Sequence, residues 1–340
     1  DGKFLAAWTR NGRIIVWNLS QEAGPTAEWQ AHDGDVESVE FSADGSRLLS
    51  SRTETKQWNV SDWKPAAVAQ WPSEWFAVHP DGRRVARCEN GTVLMGLLGD
   101  GGTQATWHRD LRGHRVAFGA EGRLLAAPVN DGIALYDSRL GDDVATLRDE
   151  TAKDQLGEHG LTFTGGGNLL ISADGDRRVR VWDAASARLL VATPAFAAEP
   201  LRVAVSRNTI DSAAQRVAIT SGPQLFVYEL RTGGPLRTIG LQGGVIAACD
   251  LSADGQSVVT IQGRPLAFGK GGHTHDTMRW DVASGRLRSQ NSIVSPVDWR
   301  FTDGGHGASC VTIARDGNDV FAATPRLGVF DWSENGDVRC

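Results

Sequence analysis

Residues 169–190 read LLISADGDRRVRVWDAASARLL. An apolar run, LLISA, is followed by Asp-Gly-Asp and then by VRVWD, which ends on Trp182 and Asp183. Apolar and β-branched residues bounded by Asp and Gly describe two short strands joined by a tight turn. After DAAS comes a further short run, ARLL, long enough for one more strand.

The ending of VRVWD recurs along the chain. It appears as RIIVWN at Trp17, TKQWN at Trp58, IALYD at Tyr136, LFVYE at Tyr228, TMRWD at Trp280 and LGVFD at Phe330, with a degenerate copy TVLMG at Gly96. Successive copies are 38 to 52 residues apart. Self-similarity at about 40 to 50 residues is the signature of a propeller blade. A second landmark keeps step upstream of each aromatic: Asp1-Gly2, Asp44-Gly45, Asp81-Gly82, Glu121-Gly122, Gly165-Gly166, Asp254-Gly255 and Asp316-Gly317. These are tight turns, because Gly accepts positive φ and Asp hydrogen-bonds the local backbone. In the remaining repeat the longer SRNTIDSAAQ, around Asp211, takes that place.

Each repeat therefore supplies an inner strand, a turn, a second strand, a loop, the aromatic-ending third strand and an outer strand such as VATLRD or GPLRTI. No segment sustains a 3.6-residue apolar period, so helices are expected to be almost absent. Such sheets bury both faces only by stacking against neighbours, and the terminal aromatics are the natural filler between them. The expectation is an all-β, WD40-like β-propeller of seven or eight four-stranded antiparallel blades, with residues 1–340 forming one domain. There are eight third strands but seven inner ones, because the chain opens at the Asp1-Gly2 turn. Residues 1–31 are thus expected to be an incomplete first blade, cut from a longer polypeptide, and 32–340 seven further repeats.

These landmarks resemble the WD-repeat family over essentially the whole chain; VEFSADGSRLLSS with QWNV and LSADGQSVVT with RWDVASGRL are further close copies. The resemblance implies a buried hydrogen-bonded set in each repeat: a His before the inner strand, a Ser or Thr on the second, an Asp in the next turn, and the Trp. His32, Ser50 and Trp58 match three of these, and the turn SRTETK lacks the Asp. In the quoted repeat Ser172, Asp176 and Trp182 match, whereas His159 is too close to Phe163, as His114 is to Phe118. The resemblance further implies a binding surface for protein or peptide partners, and an upstream signalling module such as a STAND-type NTPase or a Ser/Thr kinase.

Composition narrows the function classes. The formal charge is -6 and the sequence pI about 5.8, so no positive field gathers phosphate backbones and nucleic acid is not an expected partner. Only five of the 35 basic residues are lysine, a bias typical of a GC-rich bacterial genome. Cys88, Cys249, Cys310 and Cys340 form no CxxC pair, so neither a zinc knuckle nor a disulfide scaffold is read from them. No run of 18 apolar residues exists and no membrane insertion is expected; a cytoplasmic location is the expectation.

No catalytic constellation is visible. The glycine runs TGGGN and FGKGGH lack the GK[ST] ending of a phosphate loop, and no GxSxG elbow appears. Propellers that hold a quinone place a Trp after a DxxTG-like turn; DAASARLL and DVASGRLR have none. The most chemistry-like stretch is GGHTHDTM, where His273 and His275 share one face of an extended strand and His306 lies in a later loop. Imidazoles at that spacing suit zinc or nickel; the plainer reading, an insertion in a second-to-third-strand loop, is preferred. The chain is accordingly expected to be a non-catalytic interaction scaffold or ligand-sensing propeller without cofactors, the alternative being a cofactor- or metal-dependent, quinoprotein-like propeller enzyme. Two regions map to binding rims. SDWKPAAVAQWPSEWF concentrates Trp63, Trp71 and Trp75, and VSPVDWRF places Trp299 and Arg300 near an inner strand. Trp and Arg are the residues most enriched at binding hot spots.

Overall fold

The computed structural model describes residues 3–339 apart from 9–10, 19, 21–24, 35, 37, 43, 67–75, 99–102, 109–110, 112–114, 153–155, 158–159, 165, 198–201, 206–215, 231–233, 242–245, 253, 266–272, 296–309, 314–319, 325–327 and 333–337. Every regular element among the described residues is a strand.

Two compact units are present: residues 1–9, 14–28 and 196–340 form the first, and residues 10–13 and 29–195 the second. The chain begins with β1 (Phe4–Trp8), β2 (Arg13–Asn18) and β3 (Ala27–Gln30), a three-stranded sheet whose last strand runs on into the second unit. The second unit continues with β4 (Ser38–Phe41), β5 (Arg47–Ser51) and β6 (Thr55–Asn59), then β7 (Phe76–Val78), β8 (Arg84–Glu89), β9 (Thr92–Leu97) and β10 (Thr103–His108). It goes on through β11 (Ala117–Phe118), β12 (Leu124–Val129), β13 (Gly132–Asp137) and β14 (Asp143–Leu147) to β15 (Gly160–Phe163), β16 (Leu169–Ala173), β17 (Val179–Asp183) and β18 (Arg188–Ala192).

The first unit resumes with β19 (Arg202–Val205), β20 (Arg216–Ser221), β21 (Gln224–Glu229) and β22 (Pro235–Gly240). Then come β23 (Ile246–Leu251), β24 (Ser257–Pro265), β25 (His273–Asp281) and β26 (Leu287–Ser295), and finally β27 (Cys310–Ile313), β28 (Val320–Thr324), β29 (Gly328–Trp332) and β30 (Val338–Arg339). Consecutive strands pair antiparallel in sheets of four from β7 onward. The set β4, β5, β6 has three named strands, and an antiparallel bridge from Trp58 to Pro65 opens a fourth position beside β6.

The turn chemistry read from the sequence closes the first two strands in four of the sheets; between β15 and β16 the turn glycine is Gly167, φ 70°, one residue beyond the expected Gly165-Gly166 pair. Gly45, Gly82, Gly122 and Gly255 have φ of 69° to 71°, and each donates its N–H to the carbonyl three residues back at 2.8 to 2.9 Å. Only glycine adopts that backbone without crowding a Cβ.

Stacking then follows from strand alternation. On β13, Ala134 and Tyr136 join Ala86, Cys88, Val93 and Met95 of the preceding sheet. Ile133 and Leu135, on the opposite face, join Leu170 and Trp182 of the following one. A strand points successive side chains to opposite faces, so one six-residue segment serves two apolar layers. In the first unit Leu225 and Val227, on one face of β21, pack with Ile246, Val258 and Met278 of the next sheet. The terminal aromatics are the filler: Trp182 and Tyr136 are wholly buried, Trp17, Trp58 and Tyr228 nearly so, and Trp280 packs at the edge of its layer.

One sequence expectation is corrected. The stretch around His273 and His275 is not a loop insertion but a strand extension: Gln262 pairs with Asp276, Gly263 with His275 and Pro265 with His273. β26 lengthens in parallel, pairing Ser295 with His273. Inserted residues satisfied their backbone groups by prolonging an existing ladder, which leaves fewer amides for water than a loop would.

Candidate functional site

In the second unit a cleft of about 430 Å³ is lined by Trp29, Gln30, Ala31, Lys56, Gln57, Trp58, Trp63, Lys64, Pro65 and Ala66. Its size falls within the ordinary range for ligand and peptide sites. Three elements build it. Trp29 lies one residue before the end of the outer strand β3, and the chain after it is tied down where the amides of Ala31 and His32 both donate to the carbonyl of Gly12, at 2.8 and 3.0 Å. β6 contributes Lys56, Gln57 and Trp58. The turn from Asn59 to Trp63 contributes the remaining wall and folds back so that Asn59 N–H reaches the Lys64 carbonyl at 2.9 Å and Ala66 N–H the Gln57 carbonyl at 2.8 Å.

The floor is held by a buried polar relay. Trp58 Nε1 donates to Ser50 Oγ at 2.9 Å, and Ser50 Oγ lies 2.9 Å from His32 Nε2. An indole N–H can only donate, so Ser50 accepts from it and its own hydroxyl proton is free for His32. That requires a neutral imidazole, and burial, helped by the nearby Lys56 ammonium, pushes the His32 pKa down to about 4. Lys56 Nζ in turn donates to the Ala31 carbonyl at 2.9 Å and pairs with Glu54 at 3.0 Å.

Aromatic stacking makes the walls. The Trp29 ring sits 5.1 Å from Trp58, tilted by 55°, and 6.1 Å from Trp63, with the planes 29° apart. Trp63 is held in the left-handed region, φ 56°, where a bulky side chain is an outlier. The equivalent turns explain how unusual this is. Asp137 to Gly141 and Asp281 to Gly285 close with the same bond, the fifth N–H to the first carbonyl at 2.8 Å, as Asn59 to Trp63 does. Their fifth residues are glycines with φ 75° and 69°, and Ala187 holds that place after Asp183, with φ 54°.

The glycine turns also show what the tryptophan changes. At Gly141 an added Cβ would fall 2.1 Å from Nε1 of Trp107, and at Gly285 it would approach Arg237. Trp107 and Arg237 belong to the preceding outer strands β10 and β22, as Trp29 belongs to β3. Trp107 also lies 6.1 Å from Tyr136, its floor aromatic. Where the turn ends in glycine, the outer-strand side chain lies down on the bare backbone. Where it ends in Trp63, the outer-strand indole faces a second indole and a cleft stands beside them.

Two polar side chains lining the cleft are left unsatisfied among the described residues. Both amide atoms of Gln57 and the Nε1 of Trp29 are buried without a hydrogen-bond partner, and Gln57 is only 3% exposed. Such groups cost about 1 to 3 kcal/mol each when left unpaired.

The other sequence candidates fall as follows. Trp63 lines the cleft, whereas Trp71, Trp75, Trp299, Arg300 and His306, like His114 and His159, lie outside the described residues. His273 and His275 occupy alternate positions on β25, with their side chains outside the described set. Among the described residues no group of three or more His, Cys, Asp or Glu is placed to hold a metal, and no helix is long and apolar enough to cross a membrane. Phe330 lies on β29.

Ser172 accepts from Trp182 Nε1 at 3.0 Å, but Asp176 does not complete that set. Its carboxylate instead takes both terminal nitrogens of Arg180, at 3.0 and 2.7 Å. Arg180, fully buried, is also held by Asp149 at 2.7 Å and by the buried Asp174 at 2.6 Å. Asp174 is the carboxylate next to Ser172, and it accepts the Gly157 amide at 2.7 Å. Burial raises the Asp174 pKa in spite of these bonds, while the Arg180 guanidinium helps hold Asp176 low. A single arginine on β17 takes the second aspartate, leaving the serine to the indole.

Trp29 was not singled out from the sequence. Its importance depends on a contact with a turn about thirty residues later, which no local pattern shows.

Comparison with known proteins places these features. The family model described as WD domain, G-beta repeat, matches residues 24–58 and 158–183, the two segments that carry the Ser50–Trp58 and Ser172–Trp182 pairs. Over 82 residues, 23% of this chain, it is 35% identical to a WD repeat-containing protein 91 homolog from Dictyostelium discoideum, and the match spans 10% of that protein. The C-terminal WD40 domain of Sif2 superposes with a TM-score of 0.67 at 15% identity, covering 100% of this chain and 93% of that one. A chain of the mitotic checkpoint complex superposes with a TM-score of 0.60 at 16% identity, covering 87% and 86%. The chain thus has the all-β fold of WD40 propellers.

Proposed function

We propose that this WD40-type propeller, with residues 1–340 acting as one domain, is a non-catalytic module that binds a segment of a protein partner in the cleft between Trp29, Trp58 and Trp63. WD40 propellers generally serve as protein-interaction scaffolds, and this reading adds a place on the chain to that general role. One observation carries it. Trp63 stands in the left-handed position that Gly141 and Gly285 fill in equivalent turns. A strained tryptophan at a glycine position is retained where its side chain has work that glycine cannot do. Here it stacks on Trp29 and walls the cleft. The charge of -6 keeps nucleic acid off the partner list.

The test uses Trp63→Gly, which removes the ring and suits the backbone. Panning a random peptide library on the parent chain is expected to select peptides whose affinity drops at least tenfold on the variant. Selected peptides that bind both proteins equally would place the interaction elsewhere.

A further inference from the structure

We propose that the open edge of β1 is a docking surface for an extended segment of a partner protein, one that carries an apolar residue, any residue and then a large apolar residue. In each of the other seven sheets the strand equivalent to β1 has a neighbour on both sides, as β5 lies between β4 and β6 and β16 between β15 and β17. Among the described residues β1 has only β2 beside it. The register shows which backbone groups that leaves. Phe4 pairs with Asn18 as Arg47 pairs with Asn59 and Leu169 with Asp183. The carbonyls of Arg47 and Leu169 accept the amides of Ser42 and Thr164, each at 2.9 Å, on the side away from the third strand. Backbone groups alternate in direction along an antiparallel strand, so Ala6 and Trp8, two and four residues on from Phe4, turn their N–H and C=O to the open side. Leu5, Ala6, Ala7 and Trp8 include none of the charges or prolines that blunt natural edges.

The same register gives the side chains of the occupant. Leu5 pairs with Trp17, as Leu48 pairs with Trp58 and Leu170 with Trp182. In six of the other sheets the inner-strand residue opposite the position of Leu5 is Phe41, Val78, Phe118, Phe163, Val205 or Leu251. Two residues earlier stand Val39, Phe76, Val116, Leu161, Val203 and Cys249, while the residue between ranges from Ala77 to Glu40 and Asp250. Residues two apart on a strand share a face. On β1 that face is apolar, since Leu5 and Ala7 pack with Ile15 and Trp17. A segment laid antiparallel along β1 sets its two apolar residues opposite Ala7 and Leu5 and extends this layer. Main-chain bonds to Ala6 and Trp8 supply affinity, and the apolar pair supplies register, because a slip of one residue turns both side chains to the other face.

The probe is an end-blocked synthetic peptide, VESVEFSA, the sequence of residues 36–43. It is titrated into the full chain by calorimetry, with amide exchange followed residue by residue by NMR. Binding that slows exchange at Ala6 and Trp8 is expected. Two comparators should bind at least tenfold more weakly: one with the Val and Phe of its VEF core replaced by Asp, the other with unchanged side chains but N-methyl groups on its first Ser and second Glu, the amides that would face β1. Ala6→Pro removes an outward N–H, leaves the pairing with β2 intact and should abolish binding; should that variant not fold, the N-methylated peptide decides on the parent chain. Trp63→Gly should leave this binding unchanged, so the edge and the cleft are tested apart. Equal binding of the N-methylated peptide, slowed exchange elsewhere than β1, or no uptake of the probe would overturn the proposal. So would slowed exchange at Ala6 and Trp8 that appears without peptide as the chain is concentrated, which would make a second copy the occupant.

Discussion

The indole of Trp29 lies face to face with that of Trp63, centroids 6.1 Å apart, although the two residues come from successive sheets. Removing the second ring should therefore act on the cleft more than on the fold. Trp63→Gly loses a ring contact worth about 0.5 to 1.5 kcal/mol and relieves left-handed strain of about 1 to 3 kcal/mol. Chemical denaturation is expected to show stability unchanged or raised by about 1 kcal/mol. A loss above about 2 kcal/mol would mean the ring is a core element rather than a binding wall.

At Gly141 the reverse holds. Alanine there keeps φ 75° and drives its Cβ into Trp107 Nε1, so Gly141→Ala should destabilise by about 2 kcal/mol or more. In a Trp107→Ala background the penalty should shrink to the backbone part. Equal penalties in both backgrounds would show that the indole gives way freely.

Ser50 mediates between two buried groups. Ser50→Ala leaves Trp58 Nε1 and His32 Nε2 without their shared partner and should cost about 1 to 3 kcal/mol. Indole N–H resonances read by NMR would report the change at Trp58 directly, and an unshifted Trp58 signal would contradict the relay.

His32 predicts a pH dependence. Its pKa is about 4 in the folded chain against 6.5 as a free group, so below pH 6.5 the unfolded state binds the additional proton. The stability contributed by neutral His32 is complete above pH 6.5 and is lost as the pH falls to 4, by about 3 kcal/mol. Carboxylates elsewhere on the chain also titrate over part of this window. The quantity to measure is thus the difference between the parent chain and His32→Gln, from pH 7 to pH 4. A difference that does not vary with pH would show that the imidazole is not buried neutral.

Arg180 holds three carboxylates at once. Arg180→Met strands the buried Asp174 and should cost about 3 to 5 kcal/mol. Asp174→Asn in that background should recover part of the loss, and failure to do so would show that the arginine matters through packing alone.

The fold was readable because its signals are local and repeated. Trp58, Tyr136, Trp182 and Trp280 each stand one residue before a strand's end, and Gly45, Gly82 and Gly255 of the Asp-Gly turns adopt the positive φ those turns need. The long ladder from Ser257 to Pro265 was only partly readable: the spacing of His273 and His275 suits an extended strand, but the partner that turns it from a loop insertion into a ladder lies across the sheet. The cleft was half readable. Trp63 stood out by composition, but its meaning appears only when its turn is set against Asp137 to Gly141 and Asp281 to Gly285. Trp29 needed the neighbouring sheet, and Asp176 was drawn off by Arg180, a competition between two polar partners that spacing alone does not decide.

The division of β13 between two apolar layers sets a parity rule for change in this chain. Adding or deleting one residue inside such a strand exchanges every side chain between its two neighbours, so the error is felt on both sides at once. Growth is tolerated beyond the layers, at the strand tips, and the hairpin of β24 and β25, with nine residues in each strand, is where this sequence is longest.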